Sequence, residues 1–572
     1  MVTTKGLTGA EAFLHVLADM GVDHIFASPG SEWAPVWEAL ANPNPEAWRL
    51  PRYLSSRHEV TAVGLASGYA KAAGRLPAVM IHTTVGSLHA AMALRGAIHD
   101  QAPMVVFAGE SIGFGEVPGP DPGFQWLRYL TDVGGPARLV EPCVKWSFGV
   151  NTPAVLPATV QRACQLAMAS PKGPVFVSLP MEFLLDRMTT DPAPAAAFAV
   201  AATADPGGIA ELARLLAAAN NPLIVTEEAG RSPAVVEQLV ELAELVGAAV
   251  VETQNTTFCN FPRRYPLHGG FHPLEYVHEA DVVFLLAAVA PWHPPSAGPG
   301  PGATVAALDE NPLHAELPYW GYRLDLCLTG ALESSLALLL ERLRREIPGA
   351  DAARAARSEK WHRRYRERKA AWRDEALALK ARKPMDTRWV AHEVGQVLPP
   401  DAVVVEETIS HRLAVHRYVD AVRPGSFFEG CAGGLGTGLA TALGVKVARP
   451  ERPVLAVVGD GAFNYNPVLP AFGFAQEHGT PILIVLLNNH GYLSQKRGVP
   501  EYYPEGWAVR TGTFVGTSIL PSPDYAAVAR AFGGYGETVE DPAEVRPALE
   551  RGLQAVGQGQ AALLDMCLEP VN

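Results

Sequence analysis

The chain has 572 residues, of which 48% are hydrophobic and 18% charged, and its formal net charge at pH 7 is −13. This length and composition indicate a folded globular protein of several domains and exclude a disordered chain. The excess of negative charge argues against a nucleic-acid partner, because binding to a phosphate backbone requires clustered Lys and Arg side chains.

The apolar runs of the chain are too short to cross a membrane. Val282–Ala290 and Ile482–Leu487 fall well below the roughly 20 residues that span a bilayer and indicate buried strands instead. The N-terminal segment predicts an amphipathic helix capped at Thr8 and lacks the apolar core of a signal peptide. The six cysteines have neither disulfide-framework nor metal-ligand spacing. We therefore expect a cytoplasmic protein with no membrane partner.

Short β-rich runs alternate with helical patterns in three successive segments. The first, residues 1–190, contains HIFASPG, AVMIHTT, APMVVFAGE and GPVFVSLP. The second, residues 206–345, contains NPLIVTEEAG, GAAVVETQ and ADVVFLLAAV. The third, residues 385–572, contains AVVVEET, RPVLAVVGDG, PILIVLLNN and AALLDMCLEP. This alternation predicts an α/β fold of three doubly wound parallel-sheet domains.

Two stretches between these segments differ in composition. Asp191–Gly208 is rich in Pro and Ala, as linkers are. Residues 346–384 are dense in charge and carry four residues at helical spacing: Trp361, Tyr365, Arg368 and Trp372. With an acidic total charge, this pattern favours a linker helix docked on a domain by one aromatic stripe over a binding arm.

A single carboxylate begins an almost wholly apolar helix in the first segment. Glu59 precedes Val60–Ala70, which offers no polar face and therefore predicts a buried helix. An acid in the first turn complements the helix dipole and can cap the helix. Glu59 therefore has two possible explanations: a structural role at the start of the helix, or a chemical role of its carboxylate.

The most specific motif lies in a strand–turn–helix–strand unit of the third segment. Asp460 and Asn489 follow the carboxyl ends of two predicted parallel strands, where open α/β sheets bind ligands. Their side-chain oxygens, with a backbone carbonyl near Gly491, suit a hard dication such as Mg²⁺. Gly459 and Gly461 allow a diphosphate to approach the backbone closely.

These motifs resemble those of the thiamine-diphosphate-dependent enzymes of the pyruvate decarboxylase and acetolactate synthase superfamily. The signature of that family is GDG followed nearly thirty residues later by NN, and further resemblance lies in RHEVTAVGLASGYAKAAG, GPVFVSLP, FPRRYPLHGG and DYAAVARAFGGYG. The resemblance covers nearly the whole chain. It implies thiamine diphosphate and Mg²⁺ as cofactors.

The same resemblance implies a domain order and an assembly. A pyrimidine-binding domain (1–190) is expected to precede a central domain (206–345), a linker helix (346–384) and a pyrophosphate-binding domain (385–572). The active site would lie between the first domain of one subunit and the third domain of its partner. A homodimer is then the minimum, and a homotetramer is common in the family.

Residue by residue, the third segment matches the cofactor-binding positions of the family. Asp460, Asn489 and the Gly491 carbonyl resemble the Mg²⁺ ligands. Gly433 resembles the carbonyl that receives the aminopyrimidine amine, and Leu435 resembles the apolar wedge that bends the cofactor.

The diphosphate is expected against a second group of residues, namely Thr408, Ser410, His411, Gly459 and Gly461. One departure concerns the 29 positions from Asp460 to Asn489, which are more than we expect in close relatives. The intervening helix is therefore predicted to be longer or bulged, with Pro467 and Pro470 redirecting its start.

In the first segment the local resemblance is to benzoylformate decarboxylase. Glu59 matches the carboxylate that hydrogen-bonds the aminopyrimidine, and a carboxylate shielded by an apolar helix can share a proton with that ring. Ser31 and His82 match the active-site serine and histidine. An imidazole there can protonate a carbanion after loss of CO₂ or orient a carbonyl oxygen.

The expected substrate pocket is marked by four residues: Trp33, Glu110, Tyr265 and His268. Tyr265 stands where benzoylformate decarboxylase has a second histidine, with His268 three residues on, which departs from that enzyme. Residues 206–345 contain no GxGxxG, so FAD is not expected, although several relatives bind it in the central domain.

Together these features imply decarboxylation of a 2-oxoacid, carboligation of the resulting carbanion with an aldehyde or ketone, or both. The alternatives are an acetolactate-synthase-like transferase, a flavin-dependent 2-oxoacid oxidase, or a ligand-binding homologue without turnover. The substrate itself depends on the loops at residues 111–126 and 491–520, which the pattern leaves open.

Overall fold

The chain folds into three parallel β-sheets that follow one another along the sequence. A computed structural model describes residues 6–42, 50–110, 123–130, 132–189, 197–347, 349, 351–430 and 433–571, apart from the side chains of residues 125 and 127. The sheet orders are β2-β1-β3-β4-β6-β5, β11-β10-β9-β7-β8 and β13-β12-β14-β15-β17-β16. The predicted α/β class with three parallel sheets is confirmed.

The first sheet contains β1 (His24–Ser28), β2 (Arg52–Ser55), β3 (Ala78–Ile81), β4 (Met104–Glu110), β5 (Ser147–Gly149) and β6 (Pro174–Pro180). Its helices are Gly9–Asp19, Ala34–Leu40, Glu59–Ala73, Thr84–His99, Gly123–Gln125, Pro136–Val140, Leu156–Met168 and Met181–Leu185. Phe26 faces one apolar core and Ile25 faces another, because successive side chains of a strand point to opposite faces. The sheet is therefore covered on both sides.

The second sheet contains β7 (Pro222–Thr226), β8 (Ala249–Glu252), β9 (Val282–Leu286), β10 (Thr304–Asp309) and β11 (Leu326–Thr329). Its helices are Pro206–Ala218, Pro233–Val246 and Leu332–Glu346. The helix Ala352–Ala378 follows, and its Trp361 is buried against Tyr276 with ring centroids 5.2 Å apart. The stripe is thus packed on the core of the second sheet at Trp361, whereas Trp372 packs against Ala391 and Tyr418 of the third. The beginning of the predicted linker Asp191–Gly208 lies outside the described residues.

The third sheet contains β12 (Val403–Glu407), β13 (Phe427–Glu429), β14 (Val454–Gly459), β15 (Leu483–Asn488), β16 (Tyr535–Val539) and β17 (Ala562–Cys567). Its helices are Thr387–Val397, Arg412–Tyr418, Gly438–Ala448, Asp460–Tyr465, Val468–His478, Leu493–Tyr502, Trp507–Thr511, Tyr525–Ala531 and Val545–Gly557. The long segment between Asp460 and Asn489 is accommodated by two helices, because the chain leaves helical geometry at Asn466 and Pro467. None of the helices in the described ranges has the length and apolar character that crossing a membrane would require.

Two helices join the first and third sheets at very close range. We name them the glutamate helix (Glu59–Ala73) and the glycine-turn helix (Gly438–Ala448). A Cβ on Gly68 would lie 2.0 Å from the carbonyl oxygen of Thr441, and a Cβ on Gly444 would lie 2.1 Å from that of Leu65. Only glycine leaves room for this approach.

We expect Gly68→Ala to destabilise the fold by about 1–3 kcal/mol or more, because its methyl group would push the two helices apart. Thermal unfolding followed by circular dichroism measures the effect. Gly557→Ala is the matched control, since it is also a helical glycine but a Cβ there meets no atom within 4 Å. Equal melting temperatures for the two variants would contradict this account of the helix contact.

Candidate active site

Glu59 begins the glutamate helix but does not cap it. His58 is the N-cap, and its Nδ1 accepts a hydrogen bond from the Val60 N–H at 3.2 Å. The cap that sequence reasoning considered for Glu59 is therefore provided by His58. The helix behind is buried from Thr61 to Ala70, as predicted.

The Glu59 carboxylate lies beside two stacked histidines, His58 and His89. Its Oε2 is 3.2 Å from Nδ1 of His89, and the rings of His58 and His89 stack with centroids 5.4 Å apart. One ligand atom from each of the three side chains lies within 4.8 Å of the others. Burial lowers the pKa of His58, which keeps that imidazole neutral despite the nearby Glu59 charge.

The side chains of Glu59 and His82 both lie close to Gly86. A Cβ on Gly86 would lie 3.3 Å from Oε1 of Glu59 and 3.2 Å from Cβ of His82. The two predicted catalytic side chains therefore lie on either side of Gly86, which is in the first turn of the helix Thr84–His99. This juxtaposition comes from the loop and helix after β3, and the sequence motif did not reveal it.

His82 is oriented by Glu32, a residue that sequence reasoning missed. Nδ1 of His82 lies 2.9 Å from both carboxylate oxygens of Glu32, which is 1% exposed. A carboxylate only accepts hydrogen bonds, so Nδ1 donates and Nε2 is left for other partners. Ser31 is exposed and begins a short turn whose preceding residue, Gly30, packs against the His82 ring.

The charges around His82 favour its protonated form. Burial opposes the charge, but the hydrogen bond to Glu32 and the charges of Glu32 and Glu59 together raise the pKa of His82 above its ordinary value. The side chain is thus suited to donate a proton near neutral pH.

We expect Glu32→Gln to lower the pKa of His82, because burial remains while the neighbouring charge is lost. The charge pair is complete below pH 6.5 and is lost as the pH rises through the raised pKa of His82. If His82 acts as an acid, the alkaline limb of kcat/KM moves to lower pH in this variant. Turnover at neutral pH falls by up to about 10²-fold. An unchanged pH profile in Glu32→Gln, with the exposed Glu38→Gln as control, would contradict this role.

The predicted pocket residues of the first sheet have different surroundings. Trp33 is 0% exposed, donates from Nε1 to the Ile81 carbonyl at 2.9 Å and belongs to the core. Glu110 ends β4, and burial raises its pKa although a hydrogen bond with Ser178 opposes the shift. Most of the loop at residues 111–126 lies outside the described residues.

Tyr265 and His268 lie in the segment between β8 and β9 of the second sheet. The Tyr265 hydroxyl donates to Glu244, and His268, 3% exposed, places Nε2 2.9 Å from Oε2 of Glu252. Burial lowers the pKa of His268 in spite of that carboxylate. These contacts give no support to a role for either residue in the substrate pocket.

At the third sheet, three oxygen-bearing groups converge. One end of the Asn489 amide lies 3.1 Å from Oδ1 of Asp460 and 2.8 Å from the Gly491 carbonyl oxygen, and the other end lies 3.1 Å from Nε2 of His411. With its nitrogen inward the amide donates to both oxygens. With its oxygen inward, three oxygens face one another and require a cation between them. This donor set fits Mg²⁺, which prefers oxygen ligands.

Asp460 is fixed by the backbone around it. Gly461 donates to Oδ1 and Gly491 donates to Oδ2, both at 2.9 Å. Burial raises the pKa of Asp460 to about 6, against the effect of these hydrogen bonds. A bound cation would reverse that shift, because an adjacent positive charge favours the carboxylate.

The predicted diphosphate residues lie beside this oxygen cluster. His411 joins Asn489 to Thr387, whose Oγ1 lies 2.8 Å from Nδ1. Burial, with the nearby Arg497 charge, lowers the pKa of His411 to about 4, so the ring is neutral. The buried Thr408 donates to Glu406.

A cavity of about 870 Å³ has Ser410, His411 and Asn489 in its wall. Five basic residues also line it: Arg388, Arg412, Arg417, Lys496 and Arg497. Acidic side chains in the wall are fewer: Glu375, Asp386 and Glu569. Arg388 pairs with Glu375 and Asp386, and Arg412 pairs with Glu406 and Glu429, so Lys496 and Arg497 are the basic groups of the wall that best suit an anionic group.

The remaining predicted cofactor positions surround the same edge of the sheet. Gly433 has φ +74°, a conformation that favours glycine, and Leu435 is half-buried against the core shared by the first and third sheets. Gly459 precedes the helix Asp460–Tyr465 and a Cβ there meets nothing within 4 Å, whereas a Cβ on Gly461 would lie 2.9 Å from the Tyr492 ring.

Comparison with known families agrees with this geometry. Residues 7–113 match the Thiamine pyrophosphate enzyme, N-terminal TPP binding domain, and residues 409–566 match the Thiamine pyrophosphate enzyme, C-terminal TPP binding domain. The chain therefore carries both the N-terminal and the C-terminal cofactor-binding domains of the thiamine pyrophosphate enzymes. The predicted family and enzyme class are confirmed.

Two curated relatives match almost end to end. The chain is 27% identical to benzoylformate decarboxylase of Pseudomonas aeruginosa over 95% of this chain and 96% of that protein. It is 26% identical to acetolactate synthase isozyme 3 large subunit of Escherichia coli over 98% of this chain and 95% of that protein.

The solved structure of benzoylformate decarboxylase from Polynucleobacter necessarius has the same fold, with a TM-score of 0.79 at 20% identity over 99% of both chains. A thiamine diphosphate-dependent 4-hydroxybenzoylformate decarboxylase of Rhodococcus jostii gives 0.78 at 23% identity over 98% of this chain and 99% of that chain.

Proposed function

We propose that this enzyme uses thiamine diphosphate and Mg²⁺ to decarboxylate a 2-oxoacid and to join the remaining carbanion to a proton, an aldehyde or a ketone. The convergence of Asp460, Asn489 and the Gly491 carbonyl is the observation that carries the cofactor assignment. When bound, the thiazolium ring of the cofactor supplies an electron sink for the carbanion left by CO₂.

In this proposal the first sheet supplies the groups that handle protons. Glu59 holds a proton at the aminopyrimidine ring and is shielded by the apolar glutamate helix. His82, oriented by Glu32, holds a proton at Nε2 beside the reacting carbonyl. Ser31 lies next to Gly30, which packs on the His82 ring, and is placed to bind the substrate carboxylate.

The third sheet holds the charged end of the cofactor. Asp460, Asn489 and Gly491 bind Mg²⁺, while Ser410 and His411 face the diphosphate. Thr408 stands at a donor position for the diphosphate, and Gly459 and Gly461 allow the diphosphate to approach the backbone closely. Gly433 accepts the aminopyrimidine amine, and Leu435 supports the bend of the cofactor.

The His82–Glu32 pair favours decarboxylation followed by protonation over acetolactate synthesis, because the hydrogen bond to Glu32 raises the pKa of His82 and so favours a proton-donating imidazole at the site. An acetolactate-synthase-like transferase is the second candidate, since similarity to that enzyme covers 98% of this chain. A panel of aromatic and aliphatic 2-oxoacids, assayed for CO₂ release and product chirality, separates the two. Aldehyde from an aromatic 2-oxoacid supports the first candidate, and acetolactate from pyruvate supports the second.

We further propose that the second sheet carries no flavin. Glu227 follows β7, and its carboxylate accepts hydrogen bonds from the Thr253 hydroxyl at 2.5 Å and from the Ala290 N–H at 2.6 Å. These contacts place a buried carboxyl group, whose pKa is raised by burial, at the edge of the sheet, and they occupy the Ala290 N–H that a nucleotide phosphate would need as a donor. A flavin absorption spectrum in the purified protein would contradict this proposal and favour an oxidase.

We also propose three domains, at residues 1–190, 206–345 and 385–572, with a linker helix at 346–384. We further propose a cytoplasmic location and a homodimer or homotetramer. A partner subunit would complete the site by facing its third domain toward Glu59. Sedimentation equilibrium of the purified protein measures the assembly, and a monomer with full activity would contradict a shared site.

A further inference from the structure

A wholly buried carboxylate underlies the cofactor-binding turn of the third sheet. Glu407 ends β12 and is 0% exposed. Its Oε1 accepts from the N–H of Gly436 at 2.6 Å and of Thr437 at 3.3 Å. Its Oε2 accepts from the N–H of Gly438 at 3.1 Å and from the Asn466 amide at 2.7 Å. Four donors from two other segments therefore meet on one side chain.

Asn466 extends this contact to the metal-binding segment. Its amide nitrogen also donates to the Ala462 carbonyl at 2.8 Å, within the helix that begins at Asp460. Its amide oxygen accepts from the Leu439 N–H at 3.1 Å, at the start of the glycine-turn helix. Glu407 and Asn466 thus connect three segments: the end of β12, the turn at residues 433–438 and the helix Asp460–Tyr465.

The turn has no free space on the side of Glu407. A Cβ on Gly438 would lie 2.5 Å from Oε2 of Glu407. Gly436 has φ +109°, and a Cβ there would lie 2.6 Å from the Tyr465 carbonyl oxygen. The turn is therefore held between Glu407 on one side and the end of the Asp460 helix on the other.

We propose that Glu407 is a positioning residue that fixes Gly433 and Leu435 relative to Asp460 and thereby sets the affinity for thiamine diphosphate. The inference rests on the proposed function of this site. Glu407 acts through backbone N–H groups and does not itself touch the cofactor. Burial raises the pKa of Glu407 to about 7, although the hydrogen bonds that it accepts favour the ionised form.

Only a carboxylate satisfies all four donors. An ionised carboxylate has two oxygens and accepts at about four positions, whereas Gln has one oxygen and an NH₂ group that would face other N–H groups. Glu407→Gln therefore keeps the size of the side chain and removes half of its accepting capacity. A buried N–H left without an acceptor is unfavourable, so the turn is expected to move.

The first test uses the full-length protein without cofactor. Hydrogen–deuterium exchange at Gly436, Thr437 and Gly438 should be at least about tenfold faster in Glu407→Gln, because these N–H groups lose a charged acceptor. Glu393→Gln is the matched control, since Glu393 is a buried carboxylate on the helix Thr387–Val397 that accepts from Nε of Arg546 at 2.7 Å. Wild-type exchange at the three amides in Glu407→Gln would overturn the proposal.

The second test measures cofactor binding by titration calorimetry at saturating Mg²⁺. The dissociation constant for thiamine diphosphate should rise about 10- to 100-fold in Glu407→Gln, while kcat at saturating cofactor stays close to wild type. Glu407→Asp should recover part of the affinity. An unchanged dissociation constant, or a loss of kcat alone, would contradict positioning.

Asn466→Ala provides the test if Glu407→Gln does not fold. It leaves the carboxylate bound by the three backbone donors and should weaken cofactor binding to a smaller extent, with faster exchange at Leu439. Unchanged binding and exchange in this variant would overturn the proposal. Failure of the wild-type protein itself to bind thiamine diphosphate would instead contradict the proposed function.

Discussion

Glu59→Gln is expected to bind thiamine diphosphate with near wild-type affinity and to lose turnover by about 10²- to 10⁴-fold, as removal of a general acid–base group does. Gln keeps the shape of the side chain and a hydrogen bond, but it cannot exchange a proton with the aminopyrimidine ring. The buried helix from Thr61 to Ala70 should be unaffected, because His58 provides the cap.

Three measurements separate chemistry from binding in this variant. Calorimetry measures cofactor affinity, NMR measures the exchange of the cofactor C2 proton, and CO₂ release measures turnover. Glu237→Gln, an exposed acid on the helix Pro233–Val246, controls for the loss of one charge. Wild-type turnover in Glu59→Gln would exclude Glu59 from the chemistry, and the helix-dipole explanation of this residue would then be sufficient.

Predictions from the sequence succeeded where one local pattern determines the outcome. The buried glutamate helix follows from an unbroken apolar run, and the position of Asp460 follows from an apolar strand that ends in glycine. Apart from the buried inner strand Thr304–Asp309, the strands that the sequence did not reveal are edge strands, among them Ser147–Gly149, Leu326–Thr329 and Tyr535–Val539. These segments become strands because they pair with the adjacent strand of the sheet, and their own residues do not form an apolar run.

The supporting residues of the site were missed for a related reason. Glu32 is 50 positions from His82, and Glu407 is 29 positions from Gly436, so each contact exists only after the sheets have formed. Nothing in the neighbouring sequence marks Glu32, which precedes Trp33, or Glu407, which follows Glu406, as a supporting residue. The partner of each is determined by which strand ends lie side by side in the folded sheets.

Asp460→Asn is expected to weaken Mg²⁺ binding, and cofactor binding at limiting Mg²⁺, by roughly 10²-fold or more, because one full charge is removed from contact with a dication. The amide still fits between Gly461 and Gly491, but one of its two ends can no longer accept the N–H that Asp460 accepts.

Calorimetric titration of Mg²⁺ in the presence of thiamine diphosphate measures this effect, and thermal unfolding checks that the variant is folded. Asp524→Asn is the control, since Asp524 is an exposed helix cap that pairs with Arg530. Because Asn489 and the Gly491 carbonyl remain, high Mg²⁺ should restore part of the activity in Asp460→Asn. If the variant and the wild type depend equally on Mg²⁺, the oxygen cluster at the ends of β14 and β15 is not the metal site. The cofactor would then have to be held through Ser410, His411 and the basic residues of the cavity wall.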